Sequence, residues 1–333
     1  MARKNPTPAI AIGEPFPDVS GEAVRALFAG LVSPLPGDAS TVRSVRALTK
    51  ARSYQSWIIE TAGGDFHLKL ARQGPERVRL RATAEAAARA LAGGVTVPRV
   101  FSVGCGPESP GGRPWLLQEY LSGQDAEELW PAWSPSARAR FGHALGRAVG
   151  ELHRVEGAEF TEGKVQGSAT IRWDAQVANR LAHAEKSTAR VLTPDLVARA
   201  AERVRALATQ VSPVVRPRLA HRDLLLRNIL ADAGGSFRAL LDFEYARFTD
   251  PVLEFSKLSR AIFAPYPEVE APFRTGYAET APENGRYPLF EERFALCQIL
   301  ETLGEIPYLA RSGDTPALNR ARAELEHWLP GPK

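Results

Sequence analysis

Residues 221–230 read HRDLLLRNIL, a His-Arg-Asp triplet followed by three leucines, Arg227, Asn228 and two more apolar side chains. The leucines read as a buried segment. Burial penalises His221, Arg222, Asp223 and Asn228 unless each polar group has a partner. A carboxylate and a carboxamide five residues apart, inside a stretch otherwise suited to a core, mark the first candidate functional residues.

The surroundings are those of an ordinary water-soluble globular chain. At 333 residues it exceeds a single small core and fits one large domain or two lobes, and its 44% hydrophobic and 24% charged residues match that class. The sequence holds no apolar run near the roughly 20 residues that cross a bilayer. The opening MARKNPTPAIAIGEPFPDV is broken by Pro6, Pro8 and Gly13 and lacks a secretory h-region, so a cytoplasmic location and no membrane partner are expected. Cys105 and Cys297 stand far apart without metal-ligand spacing, which argues against a disulfide framework or a zinc site. Of 42 basic residues only seven are lysine; the arginines alternate with glutamate along Ala-rich stretches instead of gathering on one face, so the net charge of +4 does not point to nucleic acid.

Along the chain, GEAVRALFAGL (21–31) has helical spacing, and TVRSVRAL, YQSWIIET and FHLKLAR read as strands, the last two joined by the hairpin signal AGGD. PERVRLRATAEAAARAL (75–91) reads as a helix with proline in its first turn and Gly93 past its end. VPRVFSVG and PWLLQEYL supply two further strands. After SGQD (122–125) long helices take over, among them SARARFGHALGRAVGELHRV and TPDLVARAAERVRALATQV. The change divides a sheet-rich lobe, 1–121, from a helical lobe, 122–333, with a crevice between them as the expected ligand site. The proline-rich 264–288 reads as a loop-bearing connection.

The opening segment matches H-R-D-L-x-x-x-N at every fixed position, the pattern of a kinase catalytic loop. The chemistry accounts for the spacing. Phosphoryl transfer to an alcohol needs a carboxylate to receive the hydroxyl proton and a nearby oxygen ligand for magnesium. Asp223 is the expected base and Asn228 the expected ligand. NILADAGGSFRALLDFEYA then reads as a hairpin about AGGS whose second strand delivers Asp242, so that an amide oxygen and a carboxylate meet beside a hard cation.

On these residues the sequence resembles the aminoglycoside phosphotransferase and choline kinase-like branch of the protein-kinase fold, over roughly residues 40–310. The resemblance implies an α+β, two-lobed fold: a small antiparallel-sheet lobe with one key helix, here preceded by an extra N-terminal helix, and a larger, mainly helical lobe. It implies ATP and Mg2+ as cofactors, with Lys69 on the ATP phosphates, Glu85 as its helix partner in preference to Glu76, and backbone groups from Glu119 to Leu121 on adenine. FTDPVLEFSKL resembles the family's D-P-x-x-D-L element, with Asp250 expected to brace the catalytic loop and Glu254 replacing an aspartate. In ALGRAVGELHRV, His153 is expected to pack or hydrogen-bond and to take no catalytic part. LTKARSYQSW lacks the glycines of a phosphate-covering loop, leaving Ser53 as its lid residue. DFE stands in place of D-F-G, and Glu244 is expected either to assist the metal or to pair with an arginine such as Arg247.

The resemblance further implies an enzyme that phosphorylates a hydroxyl of a small molecule, an aminoglycoside-like or other glycosylated antibiotic, with resistance or self-protection as its purpose and a monomer or homodimer as its state. The alternative acceptor is a metabolic alcohol such as a sugar, a choline-like amine or a homoserine-like compound. Trp173 and Asp174 in QGSATIRWDAQVANRL, together with Glu301 and Glu305, are the expected acceptor residues, although Trp173 also reads as a core anchor. A protein kinase is disfavoured: Ala281-Pro282-Glu283 lies far beyond Asp242 with FTDPVLEFSKL intervening. A nucleotide-binding pseudokinase is disfavoured because Lys69, Asp223, Asn228 and Asp242 are all present.

Overall fold

The computed structural model describes residues 18–330 apart from 32–34, 36–37, 49–53, 73–75, 107–108 and 162–169. Helix α1 (Gly21–Leu31) precedes β1 (Val42–Leu48), β2 (Tyr54–Thr61) and β3 (Gly64–Ala71); α2 (Glu76–Ala92), β4 (Val100–Gly104) and β5 (Trp115–Glu119) follow. The strands form an antiparallel sheet in the order β1-β2-β3-β5-β4. The β2–β3 turn works because Gly64 takes φ +133°, open to glycine alone without strain.

Alternation along β3 sorts its side chains. Phe66, Leu68 and Leu70 pack with Val24, Leu27 and Phe28 of α1 and with Ile59, Trp115 and Leu117, so α1 covers that face of the sheet. Leu68 and Leu70 are fully buried, worth about 1.5–3 kcal/mol each. His67 and Lys69 are thereby turned to the opposite face, which the helix leaves open.

The second lobe begins with β6 (Gln124–Asp125), α3 (Ala126–Leu129), α4 (Pro135–Arg154), β7 (Phe160–Thr161), β8 (Thr170–Ile171), α5 (Trp173–Thr188) and α6 (Pro194–Val211). It continues with β9 (Arg218–Ala220), β10 (Ile229–Ala231), β11 (Phe237–Leu240), β12 (Arg247–Thr249), α7 (Val252–Leu258), α8 (Glu270–Thr280), α9 (Phe290–Ser312) and α10 (Thr315–His327). The expected long helices each start at a capping side chain: Ser134 Oγ accepts from Ala137 N and Thr193 Oγ1 from Leu196 N, each with a proline at the next position.

The stretch 264–288 differs from its expected loop, for it contains α8. Gly276, which reads as a breaker, is a packing residue: a Cβ there would collide with the His143 carbonyl, as one on Gly146 would with the Phe273 carbonyl. Gly142, Gly146 and Gly150 form a stripe on α4 that lets α8 approach backbone to backbone. Proline and glycine content signalled a loop, and tertiary contact decided otherwise.

Ala86, Ala87 and Ala90 of α2 join the same buried cluster as Leu224, Leu226 and Phe243, tying the first lobe's helix to the segment that opened the sequence. No described helix is long and apolar enough to cross a membrane.

Candidate active site

Residues 221–228 are held at both ends by short strand pairs. β9 pairs with β12, β10 pairs with β11 and β6, and a 3-10 turn over Leu226–Asn228 leads into β10. Glu254 of α7 fastens the loop from below: Oε2 accepts from His221 N at 2.5 Å and Oε1 from Arg222 N at 2.8 Å. Burial would raise the Glu254 carboxyl, but the imidazoles of His153, whose Nε2 lies 3.8 Å from Oε2, and of His221, with the Arg222 amide, together hold it below the usual range. His221 Nε2 lies 2.7 Å from Leu241 O, and its Nδ1 accepts from Asp223 N at 3.2 Å. That pair of partners assigns the proton to Nε2. Asp250, expected to brace this loop, instead forms a buried bidentate pair with Arg293 at 2.6 and 3.0 Å. The brace is Glu254, whose longer side chain reaches the loop amides.

The loop presents a carboxylate and an amide together. Asn228 Nδ2 donates to Asp223 Oδ2 at 2.9 Å and to Asp223 O at 2.8 Å, so Asn228 Oδ1 points away from both. Leu241 N donates to Asn228 O at 2.8 Å, so the hairpin sets Asp242, at φ +62°, beside Asn228 as its spacing predicts. Lys69 Nζ lies 3.4 Å from Asp242 Oδ1 and 5.6 Å from the Tyr54 ring centroid. Its charge, chiefly, holds Asp242 below the usual carboxylate value. On the other side Lys257 Nζ of α7 lies 3.6 Å from Asp223 Oδ1. His67, two residues before Lys69, is pushed down to about 3 by burial and by Lys69, and accepts from Gln118 Nε2 on Nδ1.

The remaining expected residues divide. Glu85 pairs with Arg89 at 3.3 Å and not with Lys69, which has taken Asp242; Glu85 Oε2 is buried with no hydrogen-bond partner among the described residues. At the end of β5 the N–H groups of Glu119 and Tyr120 go to Arg99 O and Asp65 O, and Leu121 N–H has no acceptor among the described residues. Ser53 lies outside the described residues. Glu244 is buried, accepts from Tyr54 Oη at 3.3 Å and forms no ion pair with Arg247. His153 hydrogen-bonds Tyr277 Oη at 2.6 Å, in keeping with its expected supporting part. Trp173 is a core residue whose ring lies tilted against Phe160. Each proposed acceptor carboxylate already holds arginine: Asp174 with Arg172, Glu305 with Arg260, and Glu301 with both Arg180 and Arg222.

Sequence reasoning missed Lys257 and the convergence of Arg180, Arg222 and Arg247. Lys257 had a legible signal, since it lies three residues after Glu254 and therefore on the same helical face. The arginines come from three distant segments and had none.

The donor set suits a hard cation. Asn228 Oδ1 and Asp242 Oδ2 are oxygens with no hydrogen bond to a described residue, and magnesium commonly takes one or two protein oxygens, completing its shell with water and phosphate. A carboxylate, an adjacent metal-type oxygen pair and a flanking lysine can together position an alcohol and a phosphate.

Comparison with known proteins gives the class. The model of the phosphotransferase enzyme family APH matches residues 44–288, and the chain belongs to that family. It is a small-molecule kinase with the protein-kinase-like fold. Among solved structures, a candidate aminoglycoside phosphotransferase from Ralstonia eutropha JMP134 is similar at 17% identity and TM-score 0.67, covering 93% of this chain and 97% of the other. A candidate fructosamine-3-kinase from Haemophilus somnus 129PT has 15% identity and TM-score 0.65, with the same coverage. A thermostable mutant of aminoglycoside phosphotransferase APH(4)-Ia, in ternary complex with AMP-PNP and hygromycin B, has 15% identity and TM-score 0.60 over 91% of this chain and 97% of that one. No curated protein matches the chain.

Proposed function

We propose that the protein transfers the γ-phosphoryl group of ATP, with magnesium, to a hydroxyl of a small molecule, and that Asp223 is the base. The observation that carries this reading is the joined geometry of Asp223, Asn228 and Asp242. One amide fixes the Asp223 carboxylate and frees its own oxygen for a metal beside Asp242. The acceptor oxygen bonds to the γ-phosphorus, the bond to the ADP oxygen breaks, and the hydroxyl proton passes to Asp223 Oδ1 or Oδ2. Asn228 and Asp242 would hold magnesium, which when bound neutralises phosphate charge. Lys69 would turn from Asp242 to the phosphates, with the orphaned Glu85 Oε2 as its partner. Leu121 N–H is the group free to meet the purine. Lys257 restrains Asp223 from the acceptor side.

An aminoglycoside-like acceptor, and with it a role in antibiotic resistance, has the support of family membership and of the hygromycin B bound by one neighbour. A metabolic alcohol has the support of a specific observation: Asp174, Glu301 and Glu305, the carboxylates that would receive amines, are each occupied by arginine. We favour the metabolic alcohol.

The test is ATP binding and turnover by Asp242→Ala with and without magnesium. Loss of the magnesium dependence of ATP binding together with loss of turnover is expected; unchanged magnesium dependence rejects the metal assignment.

A further inference from the structure

Arg180 of α5 and Arg222 of the catalytic loop converge on one carboxylate, Glu301 of α9, and Arg247 of β12 lies within electrostatic reach of all three without pairing with any of them. Arg180 Nη2 lies 2.8 Å and Arg222 Nη2 3.2 Å from the same oxygen, Glu301 Oε1. Among the described residues Arg247, half-buried, makes no side-chain hydrogen bond or ion pair, and the buried Nε atoms of both Arg222 and Arg247 have no acceptor. Glu254, the other carboxylate close to Arg222, spends both oxygens on the amides of His221 and Arg222. Burial, with the like charges of Arg222 and Arg180, pushes Arg247 down to about 8, while the same arginines pull Glu301 down to about 2 against its burial. A guanidinium keeps its proton under ordinary conditions. The cluster therefore holds positive charge that the described residues do not neutralise.

A partly buried cation without a counter-charge is costly to a fold, and guanidinium forks match carboxylate and phosphate oxygens two at a time. The cluster borders the reacting end of the site: Arg222 precedes Asp223 directly, and Lys257, which restrains Asp223, also acts electrostatically on Glu301. Lys69 and Asp242, the nucleotide-side groups, are not part of it. It reaches solvent, with Arg180 and Glu301 side chains 24% and 23% exposed.

Resting on the kinase reading above, we propose that the acceptor carries an oxyanion, a carboxylate or a phosphate ester, which Arg247 grips together with Arg222 and Arg180 while the hydroxyl faces Asp223. The acceptor class is thus a hydroxy acid or a phosphorylated polyol, and a polycationic sugar is disfavoured by the same charges.

The experiment uses the full-length protein and two measurements. In the first, inorganic phosphate and gluconate are titrated calorimetrically into wild type, Arg247→Met and Arg180→Met. The expected result is saturable anion binding by wild type, weakened at least tenfold in each variant, with ATP affinity within twofold of wild type. Equal anion binding by both variants, or complete competition of the anion by ATP, overturns the proposal. Two separate variants guard against one failing to fold.

In the second, ATP-dependent phosphorylation is followed for matched acceptors: glucose against gluconate for the carboxylate source, glucose against glucose 6-phosphate for the phosphate source, and kanamycin as the cationic arm. Preference for an anionic member, with KM raised at least tenfold by Arg247→Met, supports the proposal and tells the two sources apart. Turnover of neutral or cationic acceptors that Arg247→Met does not alter overturns it and leaves the kinase reading standing. Anion binding at Arg247 with no kinase turnover of any acceptor would instead overturn the kinase reading.

Discussion

Arg222 holds φ at +68°, a region costly for a side chain with a Cβ, at about 1–3 kcal/mol. Glu254 keeps it there by accepting from the amides on either side of the Cα of His221. Glu254→Gln removes the charge and one of the two acceptors, so a loss of about 2–4 kcal/mol is expected in urea unfolding, since each hydrogen bond to a charged group is worth about 1.5–3 kcal/mol. A loss below 0.5 kcal/mol would show that the loop does not depend on this brace. His67 supplies a pH-dependent term. Its folded value of about 3 lies below the ordinary 6.5, so the folded protein holds fewer protons there. The associated stability is complete above about pH 6.5 and is lost as pH falls toward 3, at up to about 1.4 kcal/mol per unit. His67→Gln should flatten the stability profile across that window, and identical slopes for variant and wild type would contradict it. At this scale the sequence was most informative for Asp223, Asn228 and Asp242, whose relation is set by a loop and a hairpin close together in the chain. It was silent on Glu254 as the brace, because whether Asp250, just before α7, or Glu254, within it, meets the loop amides is decided only by how α7 docks beneath the loop.

Helices α4 and α8 meet through glycines, and the fit allows one prediction of each sign. Gly146→Val drives a branched side chain into the Phe273 carbonyl, and a cost of at least about 1–3 kcal/mol is expected from overpacking. Gly304, on an exposed face of α9 with nothing within 4 Å of an added Cβ, should accept alanine with a gain of about 0.5–1 kcal/mol from helix propensity. Thermal unfolding of the two variants checks both, and a tolerated Gly146→Val would remove the close-approach account of α4 and α8. Long periodic elements were readable: β2, β3, α4 and α6 fall where spacing predicts. The three-residue strands β9, β10 and β12 are too short for periodicity, and α8 was hidden because its proline and glycine content imitates a loop until α4 is beside it.

The whole molecule places a lysine-bearing sheet face opposite a carboxylate-bearing loop, with α2 joined to the sheet by Leu80, packed with Tyr54 and Leu116, and to the loop region through Ala86, Ala87, Ala90 and Phe243. The expected Lys69–Glu85 pair was not legible as it stands, since which carboxylate Lys69 meets depends on how the two lobes face one another; Asp242 meets it here. The acceptor was not legible either, because the charges around Glu301 come from α5, the catalytic loop, β12 and α9. On the proposed mechanism, Asp223 receives the proton during transfer from ATP to an alcohol. The most direct measurement is phosphoryl transfer by wild type and Asp223→Asn, with ATP affinity determined for both on the same preparations. Wild type should transfer phosphate to a hydroxylated acceptor, and the variant should bind ATP equally while turning over about a hundredfold or more slowly. Transfer by Asp223→Asn at the wild-type rate would contradict the account.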